Sequence, residues 1–365
     1  MRTTRRIRKA GKTMTEENKT SDQAGQADLS QQTKQTEQTG RAGQARPTAG
    51  EEAFRSGFIA VVGRPNVGKS TLINAIVGKQ VAITSSKPET TRKAIRAIVT
   101  TDDCQLVLVD TPGFHKPRTL LGQKLNDIVD ESLADVDAVA FLLPADQEIG
   151  PGDKRILQRL QQNFSYKNEQ GEWVWRKPVV GVLTKIDNLK KAELVNKIIE
   201  LDQFGHFSQI VPVSALMKDN VDEVVSVFAS LVPEGPQLYP TAQISEEPPK
   251  ETIAELIRGS FLEELDDELP HSLAVVVDSV EYPEDEDEEE REDEKVVVHV
   301  SIYVERDSQK PIILGKHACH LVNVKKKLRT PVNRIIGRKS VLDLHVKVAK
   351  NWQSDPKKIQ RLGFI

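Results

Sequence analysis

From Gly57 onward, short apolar runs alternate with helix-length amphipathic stretches, and no other feature restricts the fold of this chain as much. The runs are GFIAVVG, KSTLINAIVG, AIRAIVTT, CQLVLVD, DAVAFLLP, PVVGVLTK and QIVPVSA, with helical segments between most of the later ones. Strands that read as near-continuous apolar runs and are separated by helices belong to a mostly parallel sheet covered on both faces. Two runs, AIRAIVTT and CQLVLVD, are almost adjacent, which predicts one antiparallel pair at an edge. Gly78 is the expected C′ residue of the first helix. NEQGEWVWRKP (168–178) reads as an inserted hairpin whose two tryptophans pack locally.

The rhythm breaks twice. Residues 1–55 are rich in Gln, Thr, Gly and charge and nearly empty of large apolar side chains, so burial cannot offset their ordering entropy, and a disordered tail is expected. Between Val232 and Lys250 stand Pro233, Pro236, Pro240, Pro248 and Pro249, which marks 233–250 as a linker between an α/β domain (56–232) and a second domain (251–365). The second domain reads helix (ETIAELIRGSFLEEL), strand (LAVVVDSVEY), acidic turn, strand (KVVVHVSIYV), glycine turn, basic helix and last strand (VLDLHVKVA). That order is α+β, with helices on one face of a three-stranded sheet. Pro331 falls inside the basic helix, which is expected to begin late or kink there.

Chemistry enters at the first strand-to-helix turn. GRPNVGKS (63–70) matches G-x-x-x-x-G-K-[ST] between a strand and a helix, the context in which the motif binds phosphate. Gly63 and Gly68 let the backbone, with Asn66 and Val67, wrap the phosphates, and the helix entered through Lys69, Ser70 and Thr71 points its positive end at them. Lys69 is expected on the β- and γ-phosphates and Ser70 on Mg²⁺. DTPG (110–113) ends the strand CQLVLVD, where Asp110 can hold the Mg²⁺ shell and the Gly113 amide can sense the γ-phosphate. Thr90 or Thr91 can add a hydroxyl to Mg²⁺, Thr91 being favoured. The P-loop alone does not choose a base. TKID (Thr184, Lys185, Ile186, Asp187) does, because the Asp187 carboxylate can accept from N1 and N2 of guanine, donors that adenine lacks. SAL (Ser214, Ala215, Leu216) ends the next strand, with the Ala215 amide expected near guanine O6. GTP and GDP are therefore the expected nucleotides.

Charge is segregated behind a net value of −3. Residues 284–294 (EDEDEEEREDE) hold ten acids and one arginine, whereas 308–342 hold nine Lys/Arg and no acid. The acidic run reads as a solvated hairpin tip. Cys104 and Cys319 fall in different expected domains, which argues against a disulfide framework and for a reducing cytoplasm. No apolar run reaches the roughly 18–20 residues of a membrane span, and MRTTRRIRKAGK lacks the apolar core of a secretory signal.

Taken together, GRPNVGKSTLIN, PETTR, DTPGFHKP, ELPHSLAV and the closing VKVAKNWQSDPKKIQRLGF resemble the Era family of bacterial ribosome-assembly GTPases, over about Gly57–Ile365. The resemblance implies a P-loop GTPase domain followed by a KH-type RNA-binding domain, a target at the 3′ end of 16S ribosomal RNA, a role in 30S subunit assembly, and a cytoplasmic monomer. Peripheral association with the inner face of the cell membrane ranks lowest among the readings. The resemblance also implies that no glutamine after DTPG orients water, since Phe114 stands there, and that His115 is a switch-loop residue. Asn66 has two readings of equal weight, a turn residue or one that places K⁺ at the phosphates. Slow, Mg²⁺-dependent hydrolysis would then rest on Asn66, Lys69, Thr91 and Gly113. The KH loop would be Gly315, Lys316, His317 and Ala318, with RNA phosphates met by Gly315, Lys316, His317, Lys325, Lys326, Lys327 and Arg329, flanked by Arg334, Arg338 and Lys339. The chain departs from the family in four ways: Thr184 in place of asparagine, Ala318 in place of glycine, Pro331 within the helix, and the added tail and acidic turn.

Overall fold

The strand predicted to lead into the P-loop starts at Arg55, inside the stretch assigned to the tail, because the Arg55 amide bonds to Asp103 O at 3.0 Å. A computed structural model describes residues 53–83, 94–113, 119–265, 272–283 and 295–364. Thr90, Thr91, Phe114, His115, the acidic run 284–294 and the tail through residue 52 lie outside the described residues.

The first half comprises β1 (Arg55–Val62), α1 (Lys69–Val77), β2 (Ile95–Thr100), β3 (Cys104–Asp110), α2 (Leu120–Ala134), β4 (Ala138–Pro144), α3 (Pro151–Phe164), β5 (Ser165–Lys167), β6 (Trp173–Trp175), β7 (Val179–Thr184), α4 (Lys191–Gly205), β8 (Gln209–Pro212) and α5 (Val221–Leu231). Six strands form one sheet in the order β2-β3-β1-β4-β7-β8. Only the β2–β3 pair is antiparallel, at the edge as expected. The central strands β3 and β4 are buried along their whole length. Their alternate side chains feed two cores, one against α1 and α5 and one against α2, α3 and α4, the two-faced burial that parallel strands require. Every parallel strand ends at the same edge, and there the motif loops collect.

Gly78 caps α1 in a left-handed conformation, its amide on Asn74 O. The β5–β6 hairpin exists, but its tryptophans part company. Trp175 packs into the second core and donates Nε1–H to His206 O, while Trp173 stays 40% exposed with the Lys167 ammonium over its ring.

The second half comprises α6 (Pro249–Glu264), β9 (Ala274–Glu281), β10 (Val296–Val304), α7 (Lys310–Leu314), α8 (Cys319–Ile336), β11 (Ser340–Val348) and α9 (Pro356–Arg361). The sheet order is β11-β10-β9, β10 running parallel to β11 and antiparallel to β9. One face carries α6, α7 and α8 over a core that includes Ile257, Phe261, Val300, Val324, Leu328 and Val332. The expected break at Pro331 does not occur, and α8 is a single helix through it. Its buried stripe of Val324, Leu328 and Val332 spans the proline, so packing outweighs the hydrogen bond the imino acid removes.

The opposite sheet face is not left to solvent. Ala274, Val276 and Tyr303 meet Trp352, Ile359, Leu362 and Phe364 of the C-terminal segment, and the same cluster takes in Leu121 and Leu125 of α2. Trp352 is fully buried, stacks on Phe364 at 5.3 Å and donates Nε1–H to Ser272 O. The proline-rich linker is likewise pinned. Gln105 holds Leu238 and Tyr239 through its side-chain amide, and Ile98 N bonds to Ile244 O at the edge strand. Glu52–Ile365 thus form one compact unit. Among the described residues no helix is long and apolar enough to cross a membrane.

Candidate functional site

Gly63 opens the P-loop because a side chain cannot stand there: a Cβ would lie 2.8 Å from both Leu142 O of β4 and Val67 Cγ2. Gly68 (φ +103°) turns the chain into α1, and Asn66 (φ 62°) takes a left-handed conformation between them, open to solvent. Val67 buries its side chain in the core, so only its backbone faces the loop. Lys69 is buried, and its ammonium donates to Gly63 O at 3.3 Å and Arg64 O at 3.2 Å. Desolvation pulls its pKa below the usual lysine range, with the Asp110 charge opposing. A buried ammonium that donates to two backbone carbonyls is a cation ready to exchange them for phosphate oxygens. Thr71, half-buried, follows in the first turn of α1.

Ser70 Oγ donates to Asp110 Oδ2 at 2.7 Å, both residues buried. A hydroxyl and a carboxylate converging beside a phosphate-binding loop are the hard oxygen donors that Mg²⁺ takes, so the residues present fit that ion. Thr111 Oγ1 donates to Val61 O and locks the end of β3 against β1. Gly113 lies on Pro65, where a Cβ would be 3.0 Å from the proline N and Cγ. The DTPG backbone and the P-loop are therefore in direct contact.

On the base side, Thr184 at the end of β7 is buried and donates its hydroxyl to Val67 O at 2.6 Å. The residue standing in for the family's asparagine thus braces the P-loop backbone. Lys185 takes a left-handed conformation (φ 59°), turning the chain so that Asp187 comes back to the crevice. Ser214 Oγ donates to Asp187 Oδ1 at 2.6 Å and accepts from the Met217 amide. Ala215 is half-buried and Leu216 is 76% exposed at the rim. The four motifs therefore come together in one crevice at the carboxyl ends of β1, β3, β7 and β8, where α/β sheets bind ligands. One contributor escaped the sequence reading: Asn74 Oδ1 accepts from the Val81 and Ala82 amides and its Nδ2 donates to Ala82 O, fixing the chain just before residues 84–93. Its only signal was its place in GRPNVGKSTLIN.

In the second half, Gly315 (φ 70°) precedes Lys316, His317 (φ 54°) and Ala318 (φ 58°), and α8 starts at Cys319. A Cβ at Gly315 would lie 2.2 Å from the His320 ring and 2.7 Å from Cys319 Sγ. Lys316, His317, Lys325, Lys326 and Arg329 are exposed, as are Arg334, Arg338 and Lys339. Lys327 differs, being ion-paired with Glu263 of α6. Both cysteines are free thiols, Cys104 buried and Cys319 exposed.

Comparison with known proteins follows the same division. Residues 58–185 match the family model described as 50S ribosome-binding GTPase, and residues 268–353 match the KH domain model. The chain is 48% identical to the GTPase Era of Mycobacterium avium over 312 residues, covering 85% of this chain and 99% of that one. It is 47% identical to that of Mycobacterium tuberculosis H37Rv over the same shares. Among solved structures it resembles Era in complex with MgGDPNP and nucleotides 1506–1542 of 16S ribosomal RNA (TM-score 0.77, 30% identity, 85% of this chain and 99% of that one). It resembles Aquifex aeolicus Era bound to GDP·AlF4⁻ comparably (TM-score 0.76, 31% identity, the same shares).

Proposed function

The chain belongs to the Era family of GTPases, and from that premise we propose that it is a Mg²⁺-dependent GTP switch that binds the 3′ end of 16S ribosomal RNA and acts in 30S subunit assembly. The observation that carries the nucleotide half is the convergence of Ser70 with Asp110 and of Ser214 with Asp187 on either side of one P-loop. Ser70 and Asp110 hold the metal, which when bound neutralises charge on the phosphates. Lys69 leaves the Gly63 and Arg64 carbonyls for the β- and γ-phosphates, and the Gly113 amide reads the γ-phosphate from its seat on Pro65. Ser214 fixes the rotation of the Asp187 carboxylate so that it accepts from guanine N1 and N2.

Hydrolysis is slow, because Phe114 supplies no polar group to orient water. Thr91 would add a hydroxyl to the metal, and Asn66, exposed in the loop, would hold K⁺, whose charge would offset that of the phosphates. RNA meets Gly315, Lys316 and His317, then Lys325, Lys326 and Arg329 along α8, with Lys327 joining only if it releases Glu263. Replacing Asp187 with Asn should weaken GDP binding by about 1–3 kcal/mol and shift preference toward xanthosine nucleotides. An unchanged GDP affinity in that variant would remove the basis for the base assignment. For the RNA half, Lys316→Ala and Lys325→Ala should each lower the salt slope on a 16S 3′-end oligonucleotide by about 0.7.

A further inference from the structure

Arg64, the second residue of the P-loop, is tied to the start of α3. Its Nε donates to Asp153 Oδ1 at 2.7 Å, and its Nη2 reaches Gln147 Oε1 at 3.3 Å. Asp153 is fully buried, and its other oxygen, Oδ2, accepts from the Gly150 amide at 2.9 Å, closing the first turn of α3. One carboxylate thus caps a helix and holds a P-loop side chain together. Gly152 makes room for the arrangement: a Cβ there would lie 2.6 Å from Arg64 Cδ and 3.1 Å from Cγ. The arginine stem therefore lies flat on the start of α3, and α3 is fixed to the sheet by Ile156, Leu157 and Leu160.

The backbone of the same arginine is functional. Arg64 O is one of the two carbonyls that hold the Lys69 ammonium, and the next residue, Pro65, is the seat of Gly113. Rotation of the Arg64 peptide would move the lysine's resting place and the floor under the γ-phosphate sensor in one step. We propose that Asp153 and Gly152 are positioning residues of the nucleotide site, setting the P-loop backbone through Arg64 without touching nucleotide. This rests on the reading of residues 63–70 as the phosphate loop. The simpler role for Asp153, capping α3 alone, would contribute to stability and leave ligand affinity where it was.

The test compares Asp153→Asn, Gly152→Ala, Arg64→Ala and Arg64→Lys in the full chain, by calorimetric titration with GDP and with a non-hydrolysable GTP analogue, alongside thermal melting and single-turnover hydrolysis. Gly152→Ala is the decisive variant, since it displaces the arginine while leaving every charge in place. Expected is a loss of GDP affinity by roughly tenfold to a hundredfold in the first three variants, with affinity for the GTP analogue falling at least as far and the single-turnover rate at saturating GTP falling as well. Arg64→Lys, which keeps one cationic donor for Asp153, should recover most of the affinity. Folded Gly152→Ala and Arg64→Ala proteins with wild-type affinity for GDP would overturn the proposal, whatever their melting temperatures. Should Asp153→Asn fail to fold, those two variants still decide. A wild-type chain that binds no GDP would instead overturn the assignment of the loop itself.

Discussion

The chain has two glycine-led loops that open onto a helix, and they meet the same backbone demand with different residues. In the P-loop, glycine stands where packing forbids a side chain, at Gly63, and where the chain turns into α1, at Gly68. In the GKHA loop only Gly315 is glycine, and the left-handed positions fall to His317 and Ala318. Ala318 has no polar side chain with which to compensate, and a left-handed conformation costs such a residue roughly 1–2 kcal/mol. The turn persists because α7, ending at Leu314, and α8, starting at Cys319, are each buried against the sheet through Ile313 and Val324 and leave four residues to join them. Where the surroundings dictate the path, glycine is a convenience; where a carbonyl occupies the space of a Cβ, it is a necessity.

The sharpest way to break that contrast is Gly63→Ala. Its Cβ would meet a strand carbonyl, Leu142 O, which cannot swing away without breaking the sheet. The variant should lose on the order of 1–3 kcal/mol of stability and GDP affinity by at least about a hundredfold; near-normal GDP binding would show that the P-loop tolerates relaxation this geometry denies it. Ala318→Gly probes the other loop in the opposite direction. Relief of left-handed strain, offset in part by greater freedom of the unfolded chain, should raise stability by about 1 kcal/mol, visible as a higher Tm. A lower Tm would mean that the alanine methyl makes a contact worth more than the strain.

The same contrast governs what could be read before the fold was known. GRPNVGKS, DTPG, TKID and SAL are each contiguous and each ends a strand, so their chemistry and their order along the chain are enough to assemble one crevice. Contacts far apart in sequence left no such trace. Arg64 and Asp153 are 89 positions apart, and nothing in the spacing of either announces the other. Likewise Trp352 was noticed only as part of a closing phrase, although it helps cover the back of the second sheet and meets α2, the helix that follows DTPG. Pro331 misled because a local rule, the lost amide, was set against a stripe of three apolar residues whose burial needs the whole domain. The linker prolines correctly interrupted regular structure, yet they did not free the segment, since the Gln105 side-chain amide of β3 and the Ile98 amide of the edge strand β2 hold it.

The smallest expected effect concerns how each half holds a cation. Lys69 is buried in the first half and its charge is disfavoured by desolvation. His299 sits partly exposed on the second sheet, Nδ1 on Asp343 Oδ2 at 2.9 Å and Nε2 toward Glu281 Oε2 at 3.3 Å. The Asp343 hydrogen bond, then that of Glu281, raise its pKa above the ordinary 6.5. Asp343 in turn is held below 3.8, chiefly by the His345 hydrogen bond and further by His299. A histidine raised on folding contributes stability in full below its unfolded pKa and loses it as pH climbs through the folded value; a depressed aspartate contributes above its unfolded pKa and loses it as pH falls. The cluster should therefore stabilise the domain most between about pH 4 and 6.5 and fade as the pH climbs through the raised folded value of His299. Exposed pairs contribute little, so the expected signal is a difference rather than a large loss. His299→Gln should lower the Tm at pH 5.5 and leave it nearly unchanged at pH 8.5, whereas no comparable change should follow at a neutral surface position. An equal Tm decrease at both pH values would mean that His299 acts by packing between β9 and β11 rather than by charge.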